Sequence, residues 1–119
     1  MIADDLKKRT KRFALDMIRF SELIPNNPAG WVLGKQLLRA GTSVGANYRA
    51  ACKSRSRAEF VAKIGVVEEE ADESCFWLEL LKESKMVQDE SLMMLHGEAH
   101  ELTAIMAASR KSASRSICS

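Results

Sequence analysis

Four stretches of the chain repeat apolar side chains at alternating steps of four and three, the rhythm of a helix that turns one face to a core. In the first, Leu6, Thr10, Phe13, Met17, Phe20 and Ile24 fall on one stripe of a helix predicted over residues 5–23. In the second, Leu33, Leu37, Ala40, Val44, Asn47 and Ala51 do the same over 29–52. The third stripe is the most regular: Phe60, Ile64, Val67, Ala71, Ser74, Leu78 and Leu81 predict a helix over 57–84. Leu92, Leu95, Ala99, Leu102 and Met106 predict a fourth over 89–109, fading near Ser109.

The punctuation between the stripes agrees with them. Asp4 or Asp5 can cap the first helix, and Pro25 with the Asn26-Asn27-Pro28 turn stops it. Asn27 then caps the second helix and Pro28 opens it, where a missing N–H costs nothing. Ser56 and Glu59 form a capping box for the third, and Asp89 caps the fourth. Short connections make sequential helices antiparallel neighbours, and a 3.5-residue period packs them at about +20°. The predicted fold is an all-α, left-handed, up-down-up-down four-helix bundle over residues 1–110, followed by a flexible tail over 111–119.

A chain of 119 residues, 46% apolar and 29% charged, fits one globular domain. No apolar stretch reaches the ~18 residues a membrane helix needs, and the N-terminus lacks the apolar core of a secretory signal. Cys52, Cys75 and Cys118 are odd in number and far apart, the usage of reduced thiols. A cytoplasmic protein without a membrane partner is expected. His96 and His100 share a helix face, but Gly97-Glu98-Ala99 between them lacks the glutamate of a zinc protease helix, and no third ligand follows. Nucleophile signatures, phosphate loops and dinucleotide fingerprints are missing too. The expectation is a protein that is not an enzyme and holds no metal or cofactor.

Charge is unevenly placed. Residues 1–63 carry 13 Lys/Arg against 5 Asp/Glu, and residues 64–119 carry 5 against 11. That asymmetry can serve an anionic partner or be satisfied inside the fold. Lys7-Lys8-Arg9-x-Lys11-Arg12 sets five cations in six residues, with Lys53, Arg55 and Arg57 at the second turn. These are the candidate nucleic-acid-binding residues. About five phosphate contacts would give a salt slope near −4 to −5 on duplex DNA. Aromatic side chains that could stack on bases, Trp31 and Tyr48 among them, are few.

The second helix is too small-sided for a plain surface helix. Gly30, Gly34, Gly41 and Gly45 each cost about 1 kcal/mol of helix propensity relative to Ala. Close approach of another backbone would offset that, so Gly34, Gly41 and Gly45 are expected at an interface with a neighbouring copy. Gln36, Arg39, Ser43 and Asn47 form a polar stripe beside the apolar one. An antiparallel hairpin sets Arg39 level with Glu69, Glu70 or Glu73, predicting a structural ion-pair network with Glu70 and Glu73 whose loss by Arg39→Ala destabilises the fold markedly.

Gln36-Leu37-x-Arg39-Ala40-x-x-Ser43-Val44-x-x-Asn47, then Ser56-x-x-Glu59-Phe60, Glu73 and Leu78, resemble the four-helix bundle family that includes proteins encoded in 23S ribosomal RNA intervening sequences. The resemblance covers about Leu6 to Ile105. The chain departs from it at Ala50-Ala51, where many members carry Glu-Gly, and at Glu69-Glu70, where many carry Gly-Ser. The resemblance implies an antiparallel bundle, a ring-like homo-oligomer that is commonly a pentamer, and no enzymatic activity. Similar accessory proteins of diversity-generating retroelements bind a reverse transcriptase and nucleic acid. Two functions are therefore expected of this sequence. One is a homo-oligomeric scaffold for a protein partner. The alternative is a sequence-indifferent RNA- or DNA-binding module, or a partner of a nucleic-acid-processing protein, that uses the basic first helix.

Overall fold

The computed structural model describes residues 3–118, with side chains through residue 115. Four helices follow one another: α1 (Ala3–Ser21), α2 (Pro28–Ala51), α3 (Arg57–Glu83) and α4 (Glu90–Cys118). They form an antiparallel bundle 50 Å long and 23 × 21 Å across.

Every predicted stripe supplies the core. Phe13, Met17, Leu37, Val44, Ile64, Val67, Leu78, Leu81, Leu102 and Met106 are all shielded from solvent. Each such side chain contributes on the order of 1.5–3 kcal/mol when buried. Of the three polar stripe positions, Thr10 and Ser74 are buried and both are satisfied locally, whereas Asn47 is only half-buried and Tyr48 beside it takes the core position. The Thr10 hydroxyl donates to the Leu6 carbonyl at 2.8 Å, and the Ser74 hydroxyl donates to the Glu70 carbonyl at 2.9 Å. Ile24, Leu33 and Phe60, at the ends of their stripes, are only partly covered.

The caps form as the sequence directs. The Gly30 N–H donates to Asn27 Oδ1 at 2.8 Å, and the Glu59 N–H donates to Ser56 Oγ at 3.1 Å. Glu59 reaches back to the N–H of Arg55, one residue before the cap, at 3.1 Å. Asp89 accepts from the Ser91 N–H at 2.9 Å. Past the end of α3, Lys85 takes a left-handed backbone (φ 63°), which lets the Val87 N–H reach back to the Leu81 carbonyl at 3.3 Å.

The predicted tail is corrected. Residues 111–118 continue α4; Ser119 lies outside the described residues. The apolar stripe does not end at Met106 but resumes seven residues later at Ala113, which is buried. Arg110 anchors the same stretch, its Nε donating to Glu68 Oε1 of α3 at 2.7 Å. With neither Gly nor Pro after Gly97, nothing in the chain stops the helix earlier.

The four seams are unequal. α1 packs closely on α2, α2 on α3 and α3 on α4, whereas α1 and α4 meet at few places. Their seam opens into a groove of about 650 Å³, floored by Phe13, Phe20 and Leu95 and rimmed by Arg12, Arg19 and Met94.

Candidate nucleic-acid interface

Gly41 and Gly45 decide how near α1 lies to α2. A Cβ on Gly45 would stand 3.1 Å from the Thr10 carbonyl oxygen, and one on Gly41 would stand 2.7 Å from Met17 Cγ. Both glycines, expected at a subunit interface, therefore face α1 of their own chain. The close approach that offsets their helix cost is already met within the bundle. Gly34 makes only ordinary contact with Ile24, its Cβ direction meeting that side chain at 3.5 Å. Gly30 is required by the turn, because a Cβ there would fall 2.0 Å from the Pro25 carbonyl.

The same close approach brings two rows of cations together. On α1, Lys7 and Lys11 flank the buried stripe on its α2 side, with Lys8 at the outer edge. Across from them, Arg49 stands in the last turn of α2 and Lys53 in the turn just past its end. These five surround a groove of about 480 Å³ whose floor is Ala14, Thr42, Gly45 and Ala46. No carboxylate lines it. Among the described residues, Lys8, Lys11, Arg49 and Lys53 have no carboxylate within 4.0 Å, and Lys7 has only Asp4, at 3.8 Å. The result is a concave strip of positive charge over small side chains.

Not every predicted cation joins it. Arg9 flanks the buried stripe on the opposite side and clamps α1 to α4. Its Nε and Nη2 donate to the two oxygens of Glu98 at 2.8 and 2.7 Å, and Nη2 lies 3.0 Å from Glu101. The bond to Glu98 raises the pKa of Arg9 further, so the guanidinium stays charged. Arg12 lies on the α4 side, 3.6 Å from Asp16. Arg55 and Arg57 are exposed at the α2–α3 turn, outside the groove. Arg49 is the cation that sequence reasoning missed. It stands alone in the sequence, and only its spacing of four from Lys53 places it on the same stripe.

The predicted polar network forms between α2 and α3. Arg39 Nη1 lies 3.0 Å from Glu70, its Nη2 bonds Glu73, and its Nε donates to Gln36 at 3.1 Å. Ser43 lies close enough to Glu70 to stabilise its carboxylate, and Trp77 Nε1 donates to Glu73 at 3.2 Å, a member not foreseen. Asn47 stays apart and donates to the Ser43 carbonyl of its own helix at 2.9 Å. The Arg39 bond holds the Glu73 carboxyl below the ordinary range, while burial pushes Glu70 up. Arg39 is 46% exposed, more open to water than the expectation of a markedly destabilising Arg39→Ala supposed, while its partner Glu70 is only 14% exposed. His96 contacts Glu79 at 2.8 Å rather than pairing with His100. Among the described residues no cluster of three or more His, Cys, Asp or Glu could hold a metal ion.

These features define a protein class: an antiparallel four-helix bundle with its positive charge on the first hairpin. The chain belongs to the 23S rRNA-intervening sequence protein family, whose profile matches residues 4–108. It is also similar to a crystal structure of a protein of unknown function from the S23 ribosomal protein family of Bacteroides thetaiotaomicron. Sequence identity is 31% and the TM-score 0.84, with 93% of this chain and 99% of that one covered. The sequence matches no curated protein. No helix among the described residues is long and apolar enough to cross a membrane.

Proposed function

We propose that the protein is a non-enzymatic, cytoplasmic binding module that holds the phosphate backbone of a nucleic acid in the α1–α2 groove. The observation that carries this reading is the convergence of Lys7, Lys8, Lys11, Arg49 and Lys53 on one concavity without a lining carboxylate. Cations bound for structural use are found paired, as Arg9, Arg39 and Arg110 are. Among the described residues, four of these five have no carboxylate within reach, and the fifth, Lys7, has only exposed Asp4 at 3.8 Å. Lysines contribute charge rather than base recognition, so binding is indifferent to sequence and strongly dependent on salt.

Fluorescence anisotropy with a labelled oligonucleotide tests this. Micromolar binding at low salt is expected, with a logarithmic salt slope of about −4 to −5 on duplex DNA for five phosphates. Reversing Lys8, Lys11 and Arg49 to Glu should flatten the slope and remove the binding. Affinity that survives the triple reversal overturns the reading.

A homo-oligomeric scaffold for a protein partner, pentameric as the resemblance implies, is the second reading. The observation in its favour is the outer face of α3, where Phe76 stands 51% exposed on a helix that also carries Glu69, Asp72, Glu79 and Glu83. An acidic face with an apolar knob on one side, and a basic hairpin on another, suit a head-to-tail contact between copies. Mass in solution tests it, and a strict monomer removes it.

A further inference from the structure

Among the exposed apolar side chains, one stands in line with the basic groove. Trp31 opens α2 and is 61% exposed. Its indole is tethered by the edge, with Nε1 donating to Asn26 Oδ1 at 2.5 Å, so the ring is oriented without being covered. Trp31 precedes Arg49 by 18 residues, which is five turns of helix, so both project from the same side of α2, about 27 Å apart. Lys35 lies one turn from Trp31, and Thr42 lies between Lys35 and the cations. Ile18 of α1, 49% exposed, follows Lys7, Lys11 and Ala14 on the same row of its helix by spacing.

We propose that the basic groove and Trp31 form one continuous track for single-stranded nucleic acid, with phosphates on Lys53, Arg49, Lys7 and Lys11 and an unpaired base stacked on the Trp31 indole. The inference rests on the nucleic-acid reading above and adds which form of nucleic acid is bound. A tryptophan face on the outside of a helix can stack only on a base that is not already sandwiched in a duplex, and such stacking tolerates any base. The span suits about eight nucleotides at the ~3.4 Å spacing of a stacked strand. Lys35 beside the ring supplies a further phosphate contact at that end.

The test uses the full chain with two ligands at low salt, a labelled twelve-nucleotide oligouridylate and a twelve-base-pair RNA duplex. Trp31→Ala should weaken oligouridylate binding about tenfold, as expected for one lost stack, and leave the duplex affinity unchanged. Trp31→Phe should restore most of the loss. In a Trp77→Phe background, where Trp31 is the only remaining tryptophan, unlabelled oligouridylate should quench the fluorescence. Equal binding of both ligands with no effect of Trp31→Ala overturns the single-strand track and leaves the groove reading standing. Binding of neither ligand overturns both. A fall in solution mass on Trp31→Ala, with oligouridylate binding intact, would assign the tryptophan to a contact between copies and overturn the track.

Discussion

A methyl group added at Gly45 would press on the Thr10 carbonyl at 3.1 Å, on a helix whose retreat would uncover Met17 and Phe13. At Gly97, exposed in mid-α4, the same methyl meets nothing within 4 Å. Gly97→Ala should therefore raise stability by up to ~1 kcal/mol through helix propensity alone, and Gly45→Ala should lower it. Urea unfolding of the two variants checks both signs. Arg39→Ala should shift the melting temperature far less than Leu78→Ala, whose loss from a fully buried site costs about 2–5 kcal/mol. The Arg39 guanidinium is half exposed, so its pairs are screened by water, and only Glu70, 14% exposed, is left without a partner in a sheltered place. Cys75 offers a pH test. Burial, with Asp72 and Glu79 nearby, pushes its thiol from 9.0 to about 11. The unfolded thiol ionises first, so stability should begin to fall above pH 9 and go on falling until about pH 11. Buried Tyr48, raised for the same reason, adds to the fall. Cys75→Ala should reduce that alkaline slope in thermal melts.

The helices themselves were legible because each stripe, cap and breaker is a local signal. Leu6, Phe13, Met17 and Phe20 had only one way to share a side of a helix, and Asn27-Pro28 marks a start without reference to anything distant. The end of α4 was not legible in the same way. A polar run from Arg110 onward reads as solvated chain until Ala113 is seen to fall, buried, seven residues after Met106. The fate of the basic run was half legible. Lys7, Lys8, Arg9, Lys11 and Arg12 lie on a single helix, but their division between α2 and α4 depends on where those helices stand. Arg9 and Arg12 went to carboxylates, and Arg49 took their place. Gly41 and Gly45 of α2 were correctly read as a demand for close approach and Gly34 was not, yet a spacing pattern does not name the partner. It was α1. Removing the Asn27 cap by Asn27→Ala should cost about 1 kcal/mol, measurable in the same unfolding experiments.

At the scale of the molecule, the uneven charge of the two halves of the chain is divided between uses. Part is neutralised across seams, by Arg9 with Glu98 and Arg39 with Glu70. Part remains as the basic groove and the acidic outer face of α3. The bundle is polar in the literal sense, with cations on its first hairpin and anions on its second. That division underlies both the proposed phosphate track and the head-to-tail alternative, and competition between an oligonucleotide and self-association would connect them.

The slack seam between α1 and α4 has a consequence for how the molecule breathes. A barrel with one loose stave opens at that stave, so α1 should swing away on its connection to α2 while the other three helices keep their shared interior. The Arg9–Glu98 clamp is then a latch. Amide protons of α1 should exchange with deuterium earlier than those of α3, and Arg9→Ala should hasten the exchange of α1 while leaving α3 nearly unchanged. Uniform exchange across all four helices would show that the bundle opens only as a whole.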